Sequence, residues 1–221
     1  MKNLATLKTQ IQNCEHCPRL RAYCKEVAKI KRRAYLKDDY WGRPIAGFGD
    51  TQARLLIVGL APAAHGANRT GRVFTGDRSG EWLYRALHRA GFANQPTSTG
   101  TQDGLTLTGA YVTCVVRCAP PGNKPLPDEI HRCSRYLKSE LKLLKDVQVL
   151  LALGQIGLNG LWPLVAPHLP RPKFGHGCEA KLPDGRRLLM SFHPSQQNTF
   201  TGRLTEPMFD SVFSRANLLL R

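Results

Sequence analysis

Four short apolar runs constrain the fold of this 221-residue chain more than any other feature of its sequence. They lie in RLLIVGLAP, AYVTCVVRCAPP, VQVLLALG and RLLMSFHPS, and each run stops at a glycine, a cysteine or a histidine. Continuous apolar runs of this length are typical of the central strands of a parallel sheet, which are buried on both faces. Helical patterns lie between the runs, so the sequence predicts a three-layer α/β/α sandwich with a central four-stranded parallel sheet.

The segments around these runs predict the rest of the architecture. The first 50 residues are a basic lead-in, expected to contain two helices with CEHCP between them. A helix capped by Ser79 is predicted over SGEWLYRALHRAGF, and CEAKLPDGRRLLMSF predicts a hairpin with DG as its turn. No repeat or linker interrupts the sequence, so residues 1–221 are expected to form a single domain.

The predicted strands end in stretches of unusual composition, which read GLAPA, RCAPPGNKP, LGQIG and HPSQQN. In open α/β sheets the ligand binds beyond the carboxyl ends of the strands. The functional site is therefore expected at this edge of the sheet.

The charge of the chain favours an anionic partner. Its 32 Lys and Arg against 16 Asp and Glu give a formal net charge of +16 at pH 7. Nucleic acid is the first expectation, because each neutralised phosphate releases counterions; an anionic membrane is the second, and a basic proteome would also explain the charge. No apolar run approaches the roughly 20 residues that span a bilayer, and the N-terminal residues lack the apolar region of a secretion signal. We therefore expect a cytoplasmic protein without a membrane partner.

Seven cysteines, an odd number, indicate metal binding or reactive thiols rather than a disulfide framework. Cys14 and Cys17 have the spacing of a metal-binding knuckle, and Cys118 and Cys133 are candidates for a second pair. Four thiolates suit zinc or an iron–sulfur cluster. The separation of the second pair favours a cluster, because zinc ribbons usually contain two tight pairs. The alternative is that Cys133, on an apolar helical stripe, is a core residue.

The loop of residues 59–80 is rich in small residues, which let a ligand approach backbone N–H groups closely. It lacks the spacings and the lysine of the common phosphate-binding loops, which counts against a nucleotide-binding enzyme. Phe74 lies among glycines in this loop and is a candidate for stacking on a base. Asp77 either caps the next helix or faces a developing cation.

Further polar side chains lie at the expected ligand edge. His193 follows the fourth strand and Pro194 fixes its turn, although a lone histidine is more often structural. Asn123 follows Cys118 on a turn that two prolines stiffen. The stretch QQNTFTGRLT is either a plain loop or a surface that meets a DNA backbone, with these candidate contacts: Gln196, Gln197, Asn198 and Arg203.

Taken in order, DYWGRPIAGFGD, LLIVGLAPAAHGANRTGRVFTGDRSG, RCAPPGNKP and SFHPSQQNTFTGRLT resemble the uracil-DNA glycosylase superfamily, and within it the iron–sulfur type-5 branch, also called type B. The resemblance covers most of the chain from residue 14. Each motif alone is weak, but GLAPA near GRVFTGDRSG with a late HPS is specific in combination. The resemblance implies an enzyme that flips uracil out of DNA and excises it, starting base-excision repair, and that carries a [4Fe–4S] cluster.

The resemblance also implies a role for each candidate residue. The cluster ligands are implied to be Cys14, Cys17, Cys118 and Cys133. Residues 59–63 match the first active-site motif, with Gly59 and Ala61 against the base. The remaining roles are stacking on the base by Phe74, catalysis by the carboxylate of Asp77, reading of the base edge by Asn123, and a hydrogen bond from His193 to the base carbonyl.

Several expectations follow about substrate choice. Base flipping costs least at a mispair, so we expect double-stranded DNA with mispaired deaminated bases as the substrate, and a monomeric enzyme. No motif places a lysine as a Schiff-base nucleophile, so the enzyme is expected to be monofunctional. Leu60 and Cys114 stand where other branches carry polar residues, which predicts that hypoxanthine and mispaired thymine are also removed. The rival hypothesis is a non-catalytic iron–sulfur or zinc nucleic-acid-binding protein on the same fold.

Overall fold

The computed structural model describes residues 3–221, and in that range the chain builds one six-stranded mixed sheet with helices on both faces. The strands are β1 (Phe48–Gly49), β2 (Leu55–Gly59), β3 (Ala110–Cys114), β4 (Val149–Leu153), β5 (Glu179–Lys181) and β6 (Arg187–Ser191). Their spatial order is β1-β3-β2-β4-β6-β5. The four inner strands are parallel, which confirms the predicted sandwich.

Two antiparallel strands extend the predicted sheet at its edges. β5 pairs with β6 and forms the hairpin that the DG turn predicted. β1 pairs with β3 and was not predicted, because two residues are too few to show a periodic pattern.

The helices are α1 (Leu4–Gln12), α2 (Pro18–Ile30), α3 (Ala67–Thr70), α4 (Arg78–Arg89), α5 (Pro127–Leu143), α6 (Gly154–Val165), α7 (Gln196–Phe200) and α8 (Glu206–Leu219). The two helices predicted in the lead-in are α1 and α2, and most of CEHCP lies between them. The first two residues of the lead-in lie outside the described residues. No helix from residue 3 onward is both long and apolar enough to cross a membrane.

Alternating burial along the inner strands explains why their sequences are continuously apolar. In β2, Leu56 and Val58 pack in one core with side chains of α1, α2, α5 and α6. Leu55 and Ile57 point the other way and pack in a second core with side chains of α4 and α8. Since both faces of the strand are buried, every position is apolar.

The start of α4 differs from the prediction. The helix begins at Arg78, and its N-cap is Asp77, whose side chain accepts a hydrogen bond from the Gly80 N–H at 2.9 Å. The predicted cap, Ser79, lies inside the first turn instead. The carboxylate is an N-cap acceptor as good as a serine hydroxyl, so composition alone did not decide between them.

The register of the sheet brings the carboxyl ends of the inner strands to one level. Gly59 at the end of β2 is paired with Cys114 at the end of β3, and Leu153 at the end of β4 is paired with Ser191 at the end of β6. The loops that follow these four residues therefore meet at one edge of the sheet.

Candidate active site

A cleft of about 530 Å³ opens at the edge where the inner strands end. Its lining combines residues that follow all four inner strands with residues of the 59–80 loop. The candidate residues that line it are Ala61, Phe74, Asp77, Asn123, His193, Gln197, Asn198 and Arg203. The cleft is of a size that holds small-molecule ligands in proteins, and it is large enough for a nucleobase.

Phe74 forms one wall of the cleft from a constrained backbone. Its φ of 51° lies in the left-handed region, which bulky residues rarely adopt. The ring stacks on His193, with centroids 5.7 Å apart and planes 29° apart. A Cβ on Gly59 would lie 2.6 Å from the Phe74 Cζ. The Phe74 ring can therefore occupy this position only because residue 59 is glycine. Although glycines surround it in the sequence, Phe74 is only 7% exposed and packs in one of the two cores.

Asp77 caps α4 and also lies in the lining of the cleft. One carboxylate oxygen, Oδ1, accepts the Gly80 N–H and caps α4, while the side chain also lines the cleft. The other oxygen, Oδ2, lies against Gly66, where any Cβ would collide with it. Burial raises the pKa of Asp77, and the hydrogen bonds from the Gly80 and Ser79 N–H groups offset only part of that effect.

His193 is placed by its backbone and stays neutral. Its carbonyl accepts hydrogen bonds from the Ser195 N–H and from the Asn198 side-chain amide, both at 2.8 Å. Burial lowers the pKa of the imidazole to about 4. A neutral imidazole carries one N–H donor, and no described residue hydrogen-bonds to the ring, so this donor is available to a ligand.

Asn123 is held out by a tight turn at the cleft. It has a φ of 57°, directly after Gly122 with a φ of 59°, and its N–H donates to the Pro120 carbonyl at 3.1 Å. Asparagine tolerates this left-handed conformation better than most residues. Its side chain is exposed and lines the cleft, so its amide is free to meet a base edge.

The residues of the first motif divide between the cleft and the core. Ala61 and Leu60 line the cleft, and Gly59 lies behind Phe74. Cys114, expected to replace a polar group in the pocket, is only 3% exposed and packs near Gly59 in the core. Cys114 therefore does not line the cleft.

The polar stretch after His193 lies at the mouth of the cleft. Gln197, Asn198 and Arg203 line it, whereas Gln196 is exposed on α7 outside the lining. The Arg203 guanidinium lies 4.6 Å from the centroid of the Phe192 ring. The side-chain amide of Asn198 donates a hydrogen bond to the His193 carbonyl, so Asn198 also stabilises the local turn.

Several residues that line the cleft were not candidates in the sequence, and they include Ser79, Gln155, Phe174 and Phe192. Gln155 lies in LGQIG, a strand-end stretch that was expected to meet the ligand, and Phe192 directly precedes the stretch HPSQQN, but neither residue was singled out. Phe174 lies in the connection between α6 and β5, where the sequence carries no signal.

The four candidate metal-binding cysteines converge on one side of the sheet. Cys17, Cys118 and Cys133 are buried in a single core cluster, and the half-buried Cys14 packs against it. Burial is the main cause that raises the pKa of Cys133 to about 12, and nearby Cys17 and Cys14 contribute to the rise. Cys24 also lies here, and its thiol donates to the Ala119 carbonyl at 3.6 Å.

Four thiolates are a donor set that suits a zinc ion or an iron–sulfur cluster. Within residues 3–221, no group of three or more His, Cys, Asp and Glu side chains is close enough to hold one metal ion. A zinc ion needs each sulfur about 2.3 Å away. A four-iron cluster binds each thiolate through a separate iron, so its ligands stand further apart. The Sγ of Cys133 also accepts the Arg117 N–H at 3.3 Å, the kind of bond that supports a ligating sulfur.

Comparison with known proteins places the chain in a family. The sequence pattern described as the uracil DNA glycosylase superfamily matches residues 46–217. The chain is 51% identical over 219 residues to the type-5 uracil-DNA glycosylase of Mycobacterium bovis, which covers 98% of this chain and 82% of that protein. It is 51% identical to the Mycobacterium leprae type-5 enzyme (98% and 96% covered), and 50% identical to that of Thermus thermophilus (93% of each). The chain therefore belongs to the uracil DNA glycosylase superfamily, in the branch whose members are called type-5 enzymes.

Proposed function

We propose that this protein is a monofunctional glycosylase that excises uracil from DNA and so starts base-excision repair. The observation that carries the proposal is the meeting of Asp77, Phe74 and His193 in one cleft. Membership of the uracil DNA glycosylase superfamily supports the choice of substrate. The net charge of +16 supports DNA as the partner, since a basic surface neutralises phosphates.

The base reaches the cleft by leaving the duplex. Flipping costs a few kcal/mol, and least at a mispair, which favours G·U sites in double-stranded DNA. Stacking on the Phe74 ring recovers about 1–3 kcal/mol of that cost. Asn123 then meets the edge of the base, while Gln197 and Arg203 at the mouth face the strand.

Asp77 is the group that responds to the developing cation. When the bond between the sugar C1′ and the base nitrogen breaks, the electron pair leaves with the base and the sugar becomes an oxocarbenium ion. Oδ1 is held by the Gly80 N–H, so Oδ2 is the oxygen left to stabilise the cation or to orient the attacking water. Water completes the reaction by adding to C1′, and its proton passes to the carboxylate or to solvent.

His193 acts on the other product of bond cleavage. Its neutral imidazole donates a hydrogen bond to the base oxygen where negative charge grows. A low pKa keeps it in this neutral form at the pH values where Asp77 is ionised. The two side chains thus stabilise opposite charges that appear together.

We further propose that Cys14, Cys17, Cys118 and Cys133 hold a [4Fe–4S] cluster. Their convergence from the lead-in, from the segment after β3 and from α5 supports this assignment. The cluster would supply structure rather than redox chemistry, because its ligands join distant segments of the chain and none of them lines the cleft. We also propose that the enzyme acts as a monomer.

Release of free uracil tests the proposed function directly. Purified protein is incubated with duplexes carrying G·U or A·U, and the released base is measured together with alkali-sensitive abasic sites. Uracil release without strand cleavage is the expected result for a monofunctional glycosylase. Tight binding to these duplexes without any release would favour the non-catalytic nucleic-acid-binding protein.

A further inference from the structure

His176 lies outside the cleft lining but packs directly behind it. It belongs to the connection between α6 and β5, and its ring contacts the end of β6 and the start of α8. The Phe192 N–H donates to its Nδ1 at 3.2 Å, and its Nε2 lies 3.2 Å from the Met208 carbonyl oxygen. The imidazole also stacks on the Phe192 ring, with centroids 5.2 Å apart and planes 25° apart.

The Ser191 hydroxyl also lies 3.3 Å from Nδ1, but the two backbone contacts by themselves fix the tautomer of His176. A backbone N–H can only donate, so Nδ1 must be the unprotonated acceptor. Nε2 then carries the proton and donates it to the Met208 carbonyl. Both bonds exist together only in this neutral form, and each ring nitrogen serves a backbone group on a different element.

The contact with Phe192 bears on the next residue in the chain. His193 is tied on its carboxyl side, because its carbonyl accepts from Ser195 and Asn198. On its amino side, two side-chain contacts hold the turn: the Phe192 N–H donates to His176 Nδ1, and the Ser191 hydroxyl donates to the Phe192 carbonyl at 2.9 Å. The backbone of His193 is therefore fixed on both sides, and its ring is directed onto Phe74.

We propose that His176 is a positioning residue of the glycosylase, which holds the Phe192–His193 turn through Nδ1 so that the His193 imidazole faces the flipped base. This inference rests on the proposed function, because it assigns His176 a part in that reaction. Preorganised donors accelerate reactions only when they are aimed correctly, and a displacement of about 1 Å can cost about 100-fold in rate.

Substitutions that preserve one of the two backbone hydrogen bonds at a time distinguish a positioning role of His176 from a packing role. The amide oxygen of His176→Asn can take the place of Nδ1 and accept the Phe192 N–H. The amide nitrogen of His176→Gln can take the place of Nε2 and reach Met208. His176→Ala removes both contacts, and His168→Ala on the same connection, an exposed histidine, is the matched control.

Each full-length variant is characterised by its melting temperature, by its activity and DNA binding, and by NMR. Activity is measured as single-turnover uracil release from a G·U duplex, and binding is measured with a duplex that carries a non-hydrolysable uracil nucleotide. NMR gives the pKa of the His193 ring, which does not depend on activity. We expect His176→Asn to stay within about threefold of the wild-type rate and His176→Gln and His176→Ala to lose about tenfold or more, with DNA binding unchanged. In those two variants alone, the His193 pKa should move toward its ordinary value.

The proposal is overturned if His176→Gln is as fast as wild type, or if His176→Asn is as slow as His176→Ala. It is also overturned if the rates of all variants simply follow their melting temperatures. A wild-type protein that releases no uracil refutes the glycosylase proposal instead. In that case the His193 NMR signal still decides whether His176 holds the turn: an unchanged pKa in His176→Gln and His176→Ala would overturn it.

Discussion

The ring of Phe74 stacks on the imidazole of His193, although 118 positions separate the two residues in the sequence. The ring centroids are 5.7 Å apart, and Gly59 backs the edge of the Phe74 ring. The residue expected to stack on the base is thus packed directly on the residue expected to hydrogen-bond it. A change in either ring should affect the environment of the other.

Replacing Phe74 by alanine should weaken capture of the flipped base. The lost stacking is worth about 1–3 kcal/mol, or about 5- to 150-fold in the affinity for a duplex with a non-hydrolysable uracil nucleotide. Phe48→Ala, which truncates a half-buried aromatic outside the cleft lining, is the control for general loss of packing. Equal affinity losses in the two variants would argue against a stacking role.

Replacing Asp77 by asparagine should abolish most of the chemistry while keeping the helix cap. Asparagine caps helices as well as aspartate, so α4 should remain intact. Single-turnover release should fall by about 100-fold or more, by analogy with the removal of other groups that stabilise transition-state charge. Asp146→Asn makes the same charge change at an exposed site, so DNA affinity can be compared at equal net charge. A near-normal rate in Asp77→Asn would leave Asp77 as a cap only.

The raised pKa of Asp77 also predicts a pH dependence. The wild-type rate should decline with falling pH at values above the ordinary carboxyl pKa of 3.8, because protonation removes the charge. The folded state prefers the protonated form, so ionisation of Asp77 costs stability at higher pH. Asp77→Asn should therefore melt no lower than wild type at neutral pH. Thermal melts and single-turnover rates across a pH series test both parts.

Gly66→Ala should disable the site without changing a polar group. The added Cβ would collide with Oδ2 of Asp77 and lie 2.8 Å from its Cγ, so the carboxylate must move. We expect a rate loss of about tenfold or more and a lower melting temperature. Gly100→Ala is the matched control, because a Cβ there meets no atom within 4 Å. A Gly66→Ala enzyme as fast as the control would mean that Oδ2 is not the working oxygen.

The cysteines should differ in their effect on metal content. Wild-type protein is expected to be brown with about four irons per chain. Cys118→Ser should lose iron and melt at a lower temperature, while any folded remainder keeps most of its chemistry. Cys178→Ser alters an exposed cysteine away from the core cluster and should keep the iron. A colourless wild-type protein loaded with zinc would contradict the cluster.

The substrate range should extend beyond uracil. Strict discrimination needs a buried polar group that a wrong base would leave unpaired. Leu60 and Ala61 offer only apolar surface, and Asn123 is exposed on a turn where its amide can rotate. Duplexes with uracil, hypoxanthine, xanthine or thymine opposite each base should show uracil released fastest, then hypoxanthine, with some thymine from G·T. Equal activity confined to uracil in every context, single-stranded DNA included, would contradict this range.

The sequence by itself determined the inner sheet and the edge at which the site lies. Runs such as LLIVG are apolar at every position because helices cover both faces of the strand, and that requirement is visible locally. Parallel strands end at the same edge, so Asp77, Asn123 and His193 could be assigned to one site before their distances were known. The hairpin of β5 and β6 could also be predicted from the sequence, because its turn is a local motif.

Only the tertiary structure decided which side chains meet. The stacking of Phe74 on His193, the approach of Oδ2 to Gly66, and the place of His176 behind Phe192 all join segments far apart in the chain. The tertiary structure also decided that Gln197 lines the cleft and that its neighbour Gln196 does not. Periodicity reports which face of an element is buried, but it carries no information about the path of a loop or the residue that a side chain meets. Those contacts follow from the order of the strands and the packing of the two cores, which the whole chain sets together.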